Sequence, residues 1–241
     1  MKSPLFSLPS ILHAPACMLA WPISVTLLLA VLLFLAVPVR GEIVTTPVRQ
    51  YGLGEIRDVA YSPDAEFMAT CGGGGPYLWS LQTGEIIGIF DGHTTLVTDV
   101  EFSPDGQHLL TGSHDRTARL WDVATGEEIR LFEGHTNPVS SVAISPDGNK
   151  AITGSWDKTA KIWDITTGDL LVTLEGHTRR IDSVDFSPDG SEVLTAAESG
   201  TERLWNVSTG EQTGSLDSGD SVNTAVFSSD GTKVLTAEEF G

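Results

Sequence analysis

Cysteine is nearly absent. The 241 residues hold two, Cys17 and Cys71, on opposite sides of an apolar run, so cleavage between them would leave Cys71 without an intrachain disulfide partner and stability to packing alone. Basic residues are scarce too: 14 Lys and Arg stand against 32 Asp and Glu, a formal net charge of −18 at pH 7. Such a chain repels phosphate backbones, whose binding depends on Lys and Arg, so no general nucleic-acid affinity is expected; solubility or a basic partner suits it better. No long like-charge block occurs, and aromatic and β-branched residues recur through the acidic part. That argues for a folded domain over a disordered acidic tail.

Acidic residues are themselves missing from one region. Residues 1–41 carry no Asp or Glu and only Lys2 and Arg40 as permanent cations, and Ile23–Val37 is apolar at almost every position. This run lacks the polar face of a helix buried in a soluble core. Its length suits the apolar region of a signal peptide, with Val39 and Gly41 as small residues before a cut at Glu42. Counted from Leu19 it is also long enough to span a bilayer. Residues 1–41 are therefore read as a cleaved signal peptide or a retained anchor, with Met18 as the true start a third alternative. Either of the first two makes residues 42–241 periplasmic or extracellular, touching a membrane only through the N-terminal segment.

What is abundant is repetition, and an internal period is to be sought before any single element. Trp79, Trp121, Trp163 and Trp205 are each 42 residues apart. Ser-Pro-Asp starts at Ser62, Ser103, Ser145 and Ser187, with Ser-Ser-Asp at Ser228, and Gly-His pairs fall at Gly92, Gly134 and Gly176. Within each unit an alternating segment (Val100 and Phe102 against Asp99 and Glu101) reads as a half-buried strand. It ends in Ser-Pro-Asp-Gly, where Pro presets φ for a turn and Gly closes it. A second apolar run, a third carrying the Trp, and a fourth after Thr-Gly-Glu or Thr-Gly-Asp complete four strands per period. Four short strands per repeat is the pattern of a propeller blade, and the density of Pro and Gly argues against a helical repeat.

Gly-His at the start of a unit and Trp-Asp closing its third strand, at Trp121-Asp122 and Trp163-Asp164, resemble the WD-repeat family. The resemblance implies an all-β propeller over residues 42–241, with complete blades at 54–93, 95–135, 137–177 and 179–216 and a partial one at 220–241. It further implies that Glu42–Gln50 is a strand latching the last blade, and that the ring is incomplete at the C-terminus or finished by another chain. Open edges of that kind favour self-association. A buried set of His, Ser, Asp and Trp is implied in two blades: His93, Ser113, Asp115 and Trp121, then His135, Ser155, Asp157 and Trp163. The flanking units depart from it, with Ala197 and Ser199 in one and Tyr51, Cys71 and Gly73 in the other. Gly72–Gly75 lacks the Lys and helix of a phosphate loop and reads as a loose turn.

The family pattern puts His114, Trp156 and Glu198 on the upper rim, beside Arg179 and Arg180, which read as a solvated loop. Trp is a frequent anchor at interfaces and a good cation–π acceptor, so this rim is the candidate site for a basic protein or peptide. His, Ser and Asp together evoke hydrolase chemistry, but a set repeated in each blade and buried is structural. No catalytic residue, metal site or cofactor is expected. The expected function is an exported or anchored interaction scaffold. The alternatives are a regulatory module of a longer protein and an enzyme sited in the channel.

Overall fold

The computed structural model describes residues 54–219 and 221–238. The leader and the latch strand expected over 42–50 lie outside them, as does Tyr51. Four four-stranded antiparallel sheets follow one another, each in sequence order. The first holds β1 (Ile56–Tyr61), β2 (Phe67–Gly72), β3 (Tyr77–Ser80) and β4 (Ile86–Ile89). The second holds β5 (Val97–Phe102), β6 (His108–Ser113), β7 (Ala118–Asp122) and β8 (Glu128–Phe132). Blade three comprises β9 (Val139–Ile144), β10 (Lys150–Ser155), β11 (Ala160–Asp164) and β12 (Leu170–Leu174), and blade four β13 (Ile181–Phe186), β14 (Glu192–Ala197), β15 (Thr201–Asn206) and β16 (Gln212–Asp217). A two-stranded sheet of β17 (Val222–Phe227) and β18 (Val234–Glu238) is the last among the described residues.

Each hairpin between first and second strands is closed by the same chemistry. Ser103 Oγ donates to Asp105 Oδ1 at 2.5 Å and accepts the N–H of His108 at 2.9 Å, while Asp105 takes the N–H of Gln107. Ser62, Ser145, Ser187 and Ser228 repeat this with their own aspartates. Short polar side chains that bond the backbone two residues on are what make such turns.

First strands of successive blades adjoin one another, and apolar cores fill the wedges between blades. One wedge joins Leu110, Ala118, Leu120 and Phe132 of blade two to Val139, Val142 and Trp163 of blade three, with the Phe132 and Trp163 rings 5.6 Å apart. Backbones approach closely here: a Cβ on Gly112 would stand 2.8 Å from methyls of both Val139 and Val142. Gly72, expected in a loose turn, is fixed likewise, since a Cβ there would fall 1.9 Å from the Glu55 carbonyl oxygen. In the first described blade Ile56 is 45 % exposed, where its counterparts Val97, Val139 and Ile181 are fully buried.

Candidate functional site

A polar set within blade two links the inter-blade loop, the second strand and the third-strand Trp. His93 Nδ1 donates to Asp115 Oδ2 at 2.8 Å, and His93 Nε2 faces Thr111 Oγ1 at 2.8 Å. Trp121 Nε1 donates to the same Thr111 oxygen at 2.9 Å. The carboxylate can only accept, so Nδ1 carries the proton and Nε2 accepts from the threonine hydroxyl; both ring nitrogens of His93 and the indole N–H of Trp121 are then satisfied. Blade three repeats the arrangement with His135, Asp157, Thr153 and Trp163.

The bridging hydroxyl thus belongs to Thr111 and Thr153, and the expectation of Ser113 and Ser155 is corrected. Residues two apart on a strand share a face, and the indole of Trp121 reaches the middle of β6, not its end. Ser113 serves the turn instead: its Oγ donates to the Leu96 carbonyl and accepts the N–H of Asp115. Ser155 does the same with Asn137 and Asp157. The flanking blades consequently keep more of the set than Ala197 and Cys71 suggest. Trp205 donates to Thr195, which also meets His177 Nε2 at 2.7 Å, and Trp79 donates to Thr70. Blade four lacks only the aspartate, replaced by Ser199, and His177 Nδ1 is buried with no partner among the described residues.

Electrostatics follow this geometry. Burial pushes the Asp115 carboxyl up, but hydrogen bonds from Thr117, His93 and the Thr94 N–H outweigh it and hold the group at about 2. Burial lowers the His93 imidazole. Without a carboxylate, His177 is pushed down to about 4 by burial, with Arg203 adding to it. His93, bonded at both ring nitrogens, ties the inter-blade loop to the second strand and the turn of its blade.

Above these sets the rim residues form a row across three blades. The rings of His114 and Trp156 lie 4.9 Å apart, and the Arg180 guanidinium carbon stands 5.2 Å from the Trp156 ring. Arg180 also pairs with Asp182 Oδ1 at 3.0 Å and approaches Glu198 Oε1 at 3.7 Å. The backbone is pinned at each step: the N–H groups of His114, Trp156 and Glu198 donate to the carbonyls of Leu96, Pro138 and Arg180. Of the arginine pair read as a solvated loop, Arg179 is exposed, whereas Arg180 is stacked and ion-paired. Glu198 meets the row through Arg180, and Trp156 is half-buried.

A second feature went unread in the sequence. First strands line a cleft of about 320 Å³ whose wall includes Asp58, Asp99, Glu101, Asp182 and Asp185. All but Asp182, which pairs with Arg180, hold the next blade. Asp99 accepts the Val142 N–H at 2.7 Å, Glu101 that of Ile144 at 2.9 Å, and Asp185 that of Phe227 at 2.7 Å. Thr98 and Ser140 add hydroxyl bonds to the carbonyls of Val139 and Ile181. Burial pushes Glu101 up to about 8, Asp182 and Asp185 up to about 6, and Asp99 well above the usual carboxylate range, where Asp58 adds to it. The signal was present as the polar positions of the alternating strands. Among the described residues no group of three or more His, Cys, Asp or Glu has the arrangement of a metal site.

The family described as WD domain, G-beta repeat matches residues 84–122, 126–164 and 168–206. Each match begins in the turn before a fourth strand and ends one residue past the third-strand Trp of the next blade, so the sequence repeat straddles two sheets. A stretch of 44 residues is 43% identical to the periodic tryptophan protein 2 homolog of Neurospora crassa, covering 18% of this chain and 5% of that protein. With three consecutive matched repeats lying on successive four-stranded blades, this chain is a member of the WD-repeat family.

Proposed function

We propose that this protein is a non-enzymatic interaction scaffold, exported or membrane-anchored through residues 1–41, whose upper rim receives a protein or peptide partner. One observation carries the reading: His114, Trp156 and Arg180, from three different blades, are stacked into one preorganised row. A rigid aromatic and an arginine already held in place lose little freedom on binding, which is where interface hot spots concentrate. Arg180 occupies the Trp156 face that a partner's cation would have taken, so the anchor offers the ring edge and its neighbouring charges. The net charge of −18 draws basic partners towards the whole surface. Asp99, Glu101 and Asp185 of the cleft accept backbone N–H groups of the next blade and Asp182 pairs with Arg180, which supports a holding role over a catalytic one.

The test compares affinities of a captured partner for the wild type and for Trp156→Ala and Arg180→Ala. Each substitution is expected to weaken binding at least tenfold, and an unchanged affinity in both removes the rim as the site. Export is tested separately, by fractionating cells and sequencing the N-terminus of the mature chain.

A further inference from the structure

Asparagine is scarce: of the four in the chain, Asn206 alone stands two residues before a Ser or Thr, in Asn206-Val207-Ser208. It is the last residue of β15, directly after Trp205, where blades two and three have Asp122 and Asp164. In those blades the carboxylate closes the turn into the fourth strand. Asp122 Oδ1 accepts the N–H of Thr125 at 2.8 Å and its hydroxyl at 3.0 Å, and Asp164 Oδ1 accepts the N–H of Thr167 at 2.8 Å. The N–H groups of Thr125 and Thr167 hold both carboxyls below the usual carboxylate range, so each is an ionised, strong acceptor.

Asn206 closes its turn with only half of its amide. Oδ1 accepts the N–H of Ser208 at 3.0 Å, the Ser208 hydroxyl at 2.7 Å and the N–H of Thr209 at 3.0 Å. A neutral carbonyl oxygen is a weaker acceptor than a carboxylate, so the turn gives no reason for the amide. What the amide adds is Nδ2. This nitrogen has no hydrogen-bond partner among the described residues, and it is not one of their buried unpaired side-chain atoms; it therefore faces solvent.

The surroundings leave room beside it. Ser208 and Thr209 are exposed, and the cross-strand neighbour Glu192 starts β14 just after the Ser187 turn. β15 runs from the turn that holds Glu198 to Asn206, so Asn206 is at the end of its blade away from the rim.

We propose that Asn206 is a glycosylation site and carries an N-linked oligosaccharide in the exported chain. Asn-X-Ser/Thr with X other than Pro is the acceptor sequence for that modification, which places a bulky, solubilising group at a surface position. The donor is an oligosaccharide carried on a lipid diphosphate. Asn206 Nδ2 attacks C1 of the first sugar; the N–C1 bond forms as the bond from C1 to the diphosphate oxygen breaks, the lipid diphosphate leaves with that electron pair, and Nδ2 gives up one proton. The proposal rests on the reading of residues 1–41 as an export segment. The glycan extends from the end of the blade opposite His114, Trp156 and Arg180 and leaves the rim open to its partner.

The test produces the full chain, with its own residues 1–41, in cells whose secretory pathway performs N-glycosylation. Secreted, membrane and cytoplasmic fractions are separated, and the chain's intact mass is measured before and after peptide N-glycosidase. The exported chain is expected to be heavier than its sequence by one glycan, to lose that excess on treatment, and to leave Asp at position 206. Asn206→Asp, which restores the residue of blades two and three and so folds, and Ser208→Ala are each expected to abolish the excess, whereas Ser208→Thr keeps it. An exported chain with Asn206 unmodified overturns this proposal and leaves export standing. A chain confined to the cytoplasm overturns both, and an excess mass that survives Asn206→Asp belongs to another residue and overturns the assignment.

Discussion

Replacing Glu101 by Gln tests the carboxylates that join one blade to the next. Glu101 accepts the Ile144 N–H at 2.9 Å, and an amide oxygen can accept the same bond without charge. Burial raises the Glu101 carboxyl from 4.5 to about 8, the Ile144 N–H opposing and Asp185 and Asp58 adding to it. The folded chain therefore binds a proton that the unfolded chain has lost across that interval, and stability falls as pH rises through it. At about 1.4 kcal/mol per unit, the loss between pH 4.5 and 8 is at most roughly 5 kcal/mol from this group, a ceiling that water penetration lowers. Urea unfolding of the full chain at pH 5 and pH 8.5 measures it. Wild type is expected to lose several kcal/mol more than Glu101→Gln between the two, on a background slope that Asp99, Asp182 and Asp185 give to both proteins. A stability difference between the two proteins that stays constant within about 1 kcal/mol across that range, the scale of an ordinary hydrogen bond, would refute the assignment.

Thr111→Ala removes the hydroxyl that links Trp121 to His93 and leaves two buried nitrogens unpaired; at roughly 1–3 kcal/mol for each, it is expected to cost clearly more than Ser113→Ala in the same denaturation assay. Ser199→Asp supplies the carboxylate that His177 Nδ1 lacks, with Thr178 and Thr201 in the places of the Thr94 and Thr117 donors. A gain of roughly 1–3 kcal/mol is expected. Because the His177 pKa is lowered to about 4, its contribution is present above the unfolded value of 6.5 and is lost as pH falls towards 4. The substitution should raise that pKa, measured by the NMR titration of the ring protons, and lessen the acid sensitivity.

Within one repeat the sequence was nearly transparent. Ser-Pro-Asp-Gly is a turn because Ser103 and Asp105 bond their own backbone neighbours, and the Trp spacing locates the third strands. Local chemistry of this kind is written in consecutive residues. The first misreading was a matter of two residues: Ser113 and Thr111 are both small hydroxyls on one face of β6, and only the reach of the Trp121 indole chooses between them. Arg180 was misread for a related reason, since its partners Trp156 and Asp182 lie on different elements.

The chain by itself thus determined a blade: its four strands, its turns and the residues that close it. Tertiary structure decided everything that passes from one blade to the next. Asp99 and Glu101 look like the solvent face of an alternating strand until β9 brings the Val142 and Ile144 N–H groups against them. Glu202 looks like an ordinary strand residue until the neighbouring blade buries it. Such contacts join residues about one whole repeat apart, and a pattern that repeats from unit to unit cannot state which of its polar positions meets water and which meets the next copy of itself.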